Sequence, residues 1–332
     1  MLTTTQKKIL KLLAINSHYS NKDLSKSVGI SEDAVRYQII GLIKKQKLAN
    51  FINNFHFKSL GYDHHHYLIR FKDITTVNIE QLMLIKEIFF INTSSGRYDI
   101  QLIISHTNDE ELMDIKEYID KILAGNIDDS LMLKYYYQYK FTNIIPIYDV
   151  AVKLPINKKN PLYKLNKEDW RTIQKIPSPI TTFTAGEKKT IQYLITDPQA
   201  TYTLIGKKTS QSYETVRQQI IKLAKKGHLA NFGIFPNFDK LNMYTNYILL
   251  NIDQINDEIF GKYIRTNPRI FYAAKLIGKY NVILYFVSEK PSELHDEIQK
   301  LRKLFPNKIV ESEMLSFDKI HKSVQFPMVL LD

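Results

Sequence analysis

Two short clusters of the sequence combine side chains that read nucleic-acid bases. Ser31, Glu32, Asp33, Arg36, Tyr37 and Gln38 form the first, and Ser212, Tyr213, Glu214, Arg217, Gln218 and Gln219 the second. An arginine can hold guanine through two hydrogen bonds and a glutamine can hold adenine, at about 1–3 kcal/mol of discrimination per good pair. Arg36 and Arg217 are thus the leading candidates for base or phosphate contact. Lys44 and Lys45 follow the first cluster, and Lys225 and Lys226 the second. They suit backbone phosphates or the negative end of a helix dipole. Ser31 and Ser212 suit helix N-caps first and phosphate donors second. Glu32 and Asp33 serve local stability at a helix start or selection of cytosine.

Both clusters belong to one repeated stretch. Val35–Phe51, VRYQIIGLIKKQKLANF, recurs as VRQQIIKLAKKGHLANF at Val216–Phe232, offset by 181 residues and identical at twelve of seventeen positions. Self-similarity at so long a spacing points to two copies of a domain pair rather than a solenoid. The agreeing apolar positions are those a helix would bury. Tyr37 corresponds to Gln218 and Glu32 to Tyr213, so the exposed positions differ.

Charge follows the repeat. Residues 1–51 carry a net +6 and residues 184–232 a net +5, out of +12 for the chain. Residues 146–183 add +4, while 52–145 and 233–332 carry −4 and +1. Positive charge gathered on compact helical modules is the footprint of a phosphate-backbone binder. The 332 residues suffice for two to four domains. The absence of cysteine excludes disulfides, thiol catalysis and Cys-ligated metals. No apolar run approaches the ~20 residues of a membrane span, and MLTTTQKKILKLL reads as an amphipathic helix rather than a signal peptide. The expectation is a cytoplasmic, nucleoid-associated protein with no membrane partner.

The elements that would position these residues read as follows. Residues 4–14 place Ile9, Leu10, Leu12 and Leu13 on one helical face. Ser20 caps a short helix, with Asp23 in the place of a capping box, and Gly29 ends it. Ser31 caps a third helix running to about Lys45, and Leu48–Phe55 reads as a strand or wing. The second copy has helices over Glu187–Ile195 and Thr203–Lys208, then one capped by Ser212. Its turn, Thr209-Ser210-Gln211, lacks the glycine. Each module is a helix-turn-helix.

After each comes a strand-helix-strand-strand-helix-strand pattern, a ferredoxin-like βαββαβ unit. The first has strands at His65–Phe71 and Leu131–Phe141, helices at Ile79–Phe89 and Glu110–Leu123, and two strands flanking a turn at 94–97. The second runs Tyr247–Ile252, Asp257–Arg265, Ala273–Leu276, Val282–Val287, Glu293–Leu304 and Lys308–Phe317. Gly96-Arg97-Tyr98-Asp99 recurs as Gly278-Lys279-Tyr280-Asn281. The expected fold is α+β, with helix-turn-helix domains at 1–52 and 184–233, βαββαβ domains at 53–145 and 234–332, and a proline-rich linker at 146–183. A short linker helix at Lys167–Ile176 would hold Trp170, the only tryptophan.

VGIS-x-x-AV-x-x-x-I-x-x-L-x-x-x-x-L-x-x-F, followed by a βαββαβ unit with Gly-x-Tyr-Asp before its third strand, resembles the Lrp/AsnC transcriptional regulators. The resemblance covers nearly the whole chain twice, leaving out only the linker. It implies a winged-helix DNA-binding domain joined to a so-called RAM domain for amino-acid effectors, with double-stranded DNA as partner. Family members usually carry one copy and pair through their RAM sheets. This chain resembles a tandem version, a covalent pseudo-dimer open to further homo-oligomerisation. The resemblance places effector contacts near Gly96, Tyr98 and Asp99 and near Gly278, Tyr280 and Asn281. Gln38 and Gln219 stand where the family often has arginine, and Asn281 replaces the aspartate.

The remaining chemistry-bearing residues are fewer. Of His64-His65-His66, alternate residues share a strand face, so His64 and His66 could share a metal, but no third ligand is evident. Neither a metal nor a cofactor is therefore expected. Tyr135, Tyr137 and Tyr139 alternate on a strand and would pack a sheet-to-sheet interface; the acidic charge of 52–145 opposes an RNA-stacking surface. One rival is a siroheme-decarboxylase-like enzyme, which has the same two-domain plan. The expected Arg-His cluster for a carboxylate-rich tetrapyrrole is absent from the RAM-like region. Another rival is a non-specific architectural DNA binder, with steep salt dependence.

Overall fold

The computed structural model describes residues 2–123, 125–141, 150–155 and 182–331. The linker helix at Lys167–Ile176 and Trp170 lie outside them. The chain forms two compact units that collect like with like: residues 1–60 with 142–242, and residues 61–141 with 243–330.

In the first unit, α1 (Thr4–Ile15), α2 (Asn21–Val28) and α3 (Glu32–Lys44) build one module, and α6 (Ala185–Thr196), α7 (Tyr202–Thr209) and α8 (Tyr213–Lys225) the other. Side-chain caps set their starts. Thr3 with Gln6 and Thr184 with Glu187 close full capping boxes, while Ser20 accepts from the Asp23 amide. Gly29 ends α2 in the left-handed region (φ 82°), and Ser210 ends α7 in the same region (φ 57°, ψ 41°). The second turn is thus as tight as the first despite lacking glycine. Gly206 permits it: a Cβ there would lie 2.6 Å from the Gln211 carbonyl oxygen. Gln211 Nε2 braces the turn with bonds to the Gly186 carbonyl (3.1 Å) and the Thr209 hydroxyl (2.9 Å).

The strand after each recognition helix does not fold back as a wing on its own module. β1 (Leu48–Phe55) pairs antiparallel with β6 (Leu229–Pro236), in register from Leu48↔Pro236 to Phe55↔Leu229. The helices interlock in the same crossed fashion, α1 packing on β6 and α6 on β1. His18 Nε2 bonds the Pro198 carbonyl (2.8 Å), and Gln199 Nε2, its counterpart, donates to the Ser17 carbonyl (3.2 Å). The buried Asn53 donates to the Leu194 carbonyl at 2.6 Å. The two modules are therefore one body.

The second unit is a closed eight-stranded antiparallel barrel of two βαββαβ halves. The first half holds β2 (Asp63–Phe71), α4 (Ile79–Met83), β3 (Ile88–Ser95), β4 (Ile100–His106), α5 (Asp109–Ile122) and β5 (Ile127–Phe141). The second holds β7 (Tyr244–Ile252), α9 (Asp257–Thr266), β8 (Ile270–Ile277), β9 (Val282–Ser288), α10 (Ser292–Leu304) and β10 (Ile309–Ser323). Closure occurs where β5 meets β8 and β10 meets β3. Closing the edges satisfies backbone groups that an open sheet would leave unpaired. The alternate tyrosines of β5 thus stand at an edge-to-edge seam, not between stacked sheets.

The helix expected at Ile79–Phe89 is a correction. It stops at Met83, and Ile88 begins a strand. The run Ile88-Phe89-Phe90-Ile91 is buried on both faces, which suits a strand between a helix layer and a barrel interior. β8 likewise starts at Ile270, ahead of the expected Ala273. Each half carries its own core under its helices: Tyr67, Ile69 and Leu82 in one, Ile248, Phe260 and Leu301 in the other.

Candidate nucleic-acid interface

Recognition helix α3 starts at Glu32 because Ser31 caps it, its hydroxyl oxygen accepting from the Ala34 amide at 3.2 Å. Val35 and Leu42 turn inward. One residue on from Val35, Arg36 lies on the exposed face, and so does Tyr37, 75% exposed. Arg36 has no hydrogen bond or ion pair among the described residues. Glu32 and Asp33 are exposed in the first turn, and Lys44 and Lys45 at the last. Gln38 is placed differently. It stands three residues after Val35, on the inward side of the helix, where its side-chain oxygen accepts from Gln6 Nε2 at 3.1 Å.

Helix α8 repeats the frame with other wiring. Ser212 accepts from the Thr215 amide at 3.0 Å. Tyr213, 52% exposed, leans on Tyr202 with ring centroids 5.8 Å apart. Glu214 accepts from Arg217 Nη1 at 2.9 Å and from Gln218 Nε2 at 2.6 Å. The Gln218 amide, with Arg217 beside it, holds that carboxyl below the usual carboxylate range. Gln219 turns inward like Gln38, accepting from the Thr190 hydroxyl (2.6 Å) and donating to Gln211 Oε1 (2.8 Å). Lys222 pairs with Glu187 at 2.6 Å, and Lys225 and Lys226 stay exposed. A shallow cleft of about 480 Å³ runs along this face between Glu187, Ser212 and Gln218.

The structure thus brings Arg36 with Tyr37, and Arg217 with Gln218, onto outer helix faces, and directs Gln38 and Gln219 into the scaffold. The spacing of three from Val35 and Val216 was the available signal. Glu214, the hub of the second face, was legible only as an i, i+3, i+4 neighbour of two donors.

The two Gly-x-Tyr turns sit at the barrel seams. A Cβ on Gly96 (φ 141°) would meet the Met314 carbonyl oxygen at 3.0 Å, and one on Gly278 (φ 142°) would meet Leu133 Cδ2 at 2.7 Å. Each turn therefore lies against a strand of the other half, and only glycine fits. Tyr98 and Tyr280 are buried. Asp99 accepts from the Phe71 amide at 2.7 Å. Asn281 accepts from the Ile252 amide (3.0 Å) and donates to its carbonyl (2.8 Å). Both residues brace the same strand junction, and the amide does so with one bond more. Arg97 pairs with Asp129 (3.2 Å) and Lys279 with Glu311 (2.7 Å), again in matching places.

His64 stacks on Tyr135 with ring centroids 3.9 Å apart. His66, fully buried, accepts at Nδ1 from Gln101 Nε2 (2.9 Å), and burial lowers its pKa to about 3. His65 meets His106 at 2.8 Å, and burial lowers it to about 4. Among the described residues no group of three or more His, Cys, Asp or Glu is placed to hold a metal ion, and no helix is long and apolar enough to cross a membrane.

Comparison with known proteins adds four findings. The model of the winged helix-turn-helix DNA-binding family matches residues 2–44. An uncharacterised HTH-type transcriptional regulator of Pyrococcus horikoshii is 30% identical over 142 residues, 42% of this chain and 77% of that relative. Among solved structures, the siroheme decarboxylase NirDL is similar over 97% of this chain and 94% of its own, at 13% identity and a TM-score of 0.56. AsnC of E. coli is similar over 41% of this chain and 93% of its own, at 18% identity and a TM-score of 0.37.

Proposed function

Since the chain belongs to the Lrp/AsnC family of HTH-type transcriptional regulators, we propose that it binds double-stranded DNA as a covalent pseudo-dimer and reads two unequal half-sites. The β1–β6 pairing carries this reading: it fuses both helix-turn-helix modules into one body, while their outer faces differ. Arg36 and Tyr37 read one half, and Arg217 and Gln218 the other. Ser31, Ser212 and the lysines at both helix ends take the backbone. Linked half-sites then lie roughly 10 bp apart, or a multiple of that. An amino acid or other small effector would act at the seam turns, and the protein would sit on the nucleoid in the cytoplasm.

Selection of bound duplexes from a random pool, followed by footprinting, tests this. Two recovered half-sites of different sequence are expected. Arg36→Ala should weaken protection of one half and Arg217→Ala of the other, each by about 5- to 150-fold at the stated 1–3 kcal/mol. Identical footprint changes in both variants would refute it. Recovery of no preferred sequence, with steep salt dependence, would instead favour a non-specific architectural binder.

A second reading has one observation in its favour: the fold likeness to a siroheme decarboxylase extends over nearly the whole tandem chain. Titration with iron-uroporphyrin decides it. A saturable, shifted Soret band at one equivalent would favour the enzyme; an unshifted band would remove it.

A further inference from the structure

Helix α3 leaves apolar side chains where a surface helix keeps polar ones. Tyr37 is 75% exposed, Ile40 40% and Ile43 45%. Asp33, Arg36, Tyr37 and Ile40 stand at i, i+3, i+4 and i+7, so they share one stripe of the helix, and Ile43 extends it by a turn. All five are exposed. Helix α8 holds other side chains at these places. At the offset of 181 residues, Tyr37 becomes Gln218 and Ile43 becomes Ala224, while Ile221, the twin of Ile40, is buried. The module therefore folds without an apolar outer stripe. Contiguous exposed apolar side chains mark an interaction surface.

The charges around the stripe choose its occupant. Arg36 stands within it, Lys44 and Lys45 close its C-terminal end, and all three are exposed. Residues 1–51 as a whole carry a net +6. The opposing carboxylates, Glu32 and Asp33, are confined to the first turn. Asp33, at the head of the stripe, suits a cytosine amine rather than a phosphate. Cations around an apolar strip fit an anionic surface with apolar groups between its charges. The major groove is such a surface: phosphates form its rims, and the thymine C5-methyl is the apolar group on its floor. From Tyr37 to Ile43 the helix rises about 9 Å, roughly the rise of three base pairs.

Resting on the DNA reading above, we propose that α3 recognises its half-site through thymine methyl groups. Tyr37, Ile40 and Ile43 pack against a short run of thymines, which makes Ile40 and Ile43 specificity-determining residues of that half-site. Helix α8 reads its own half by hydrogen bonds from Arg217 and Gln218. The two halves then differ in the kind of readout as well as in sequence. Thymine and uracil present the same hydrogen-bonding edge and differ only in the methyl group, so exchanging them separates the two kinds.

Duplexes selected by the full chain supply the test, with thymine replaced by uracil in one half-site at a time. Uracil in the first half should weaken binding about fourfold per methyl lost, the scale of one buried methyl group. Uracil in the second half should leave affinity unchanged. The double variant Tyr37→Gln/Ile43→Ala gives α3 the side chains of α8 at two exposed positions. Its penalty for uracil in the first half should fall to about fourfold or less. A general loss of stability would not produce that coupling between protein change and base change. Wild type that binds thymine and uracil equally in its first half overturns the proposal and leaves the DNA reading standing. So does a first half-site that contains no thymine, or an equal penalty in both halves. A selection that returns no preferred sequence removes both readings. If wild type self-associates without DNA and the double variant does not, the stripe belongs to a second copy of the chain, and the proposal falls.

Discussion

The two helix-turn-helix modules share a buried frame and differ in how their outer faces are wired. In the first, Arg36 stands without a partner among the described residues beside an exposed Tyr37. In the second, Glu214 ties Arg217 and Gln218 to one carboxylate. Duplication preserved Val, Ile and Leu because each module must still pack. It released the outer positions because no core depends on them. The same divergence extends into the frame, where identical residues carry unequal loads. Phe51 and Phe232 occupy the same repeat position, but Phe51 is only half-buried while Phe232 is fully buried, with its ring 4.1 Å from that of His18.

That inequality offers the largest test. Phe232→Ala should cost about 3–5 kcal/mol, the range for deleting a buried aromatic, and Phe51→Ala clearly less. Denaturant midpoints for the two variants measure it. Equal losses would mean that the modules share the load evenly and the asymmetry is only apparent.

Next comes a pH effect confined to one side of the crossed contact. Burial lowers the His18 pKa below 6.5 in the folded chain, so the unfolded chain binds a proton there more readily. The stability that neutral His18 contributes is present above about 6.5 and is lost as pH falls below it. Gln199, its counterpart, does not titrate. His18→Gln should therefore flatten the acid limb of the stability curve, and an unchanged limb would assign that limb to other buried histidines such as His66.

Glu214→Ala frees both donors of the second recognition helix and removes a carboxylate from the approach of phosphate. Affinity for the second half-site should rise by up to about fivefold, the scale of an exposed ion pair, and the first should not change. Equal changes at both halves in footprint titrations would show that the wiring difference does not reach DNA.

Helix starts, the glycine stop after α2 and the capped recognition helices were legible because their signals are local: a hydroxyl at the N-cap, apolar residues three or four apart, a left-handed terminator. The βαββαβ order was legible from period and spacing. What stayed hidden was non-local. No single segment states that β1 will pair with β6 rather than fold as a wing, or that β5 and β10 will close a barrel. At the candidate interface, the outward placement of Arg36 and Arg217 followed from their place in the repeat. The inward turn of Gln38 and Gln219 required knowing that Gln6 and Thr190 would stand opposite. The short α4 escaped because an apolar run of Ile and Phe reads equally well as buried helix or buried strand until its neighbours are known.

The smallest expected effect lies at the two turns. Gly29 and Ser210 both occupy the left-handed region, and a Cβ on Gly29 would meet nothing within 4 Å. The cost of a side chain there is thus conformational alone, about 1–2 kcal/mol for an L-residue. Ser210 already bears it, offset by the close approach that Gly206 allows and by the Gln211 brace. Gly29→Ala should therefore lower the melting temperature. Ser210→Gly relieves the strain but gives the unfolded chain extra freedom worth about 0.4–1 kcal/mol, so the net gain is about 0–1.6 kcal/mol, and the same term offsets part of the cost of Gly29→Ala. The two substitutions should shift the thermal midpoint in opposite directions. A fall in midpoint on Ser210→Gly would mean that the serine is bound into the turn by more than its backbone, and that the second module has replaced the glycine stop with a device of its own.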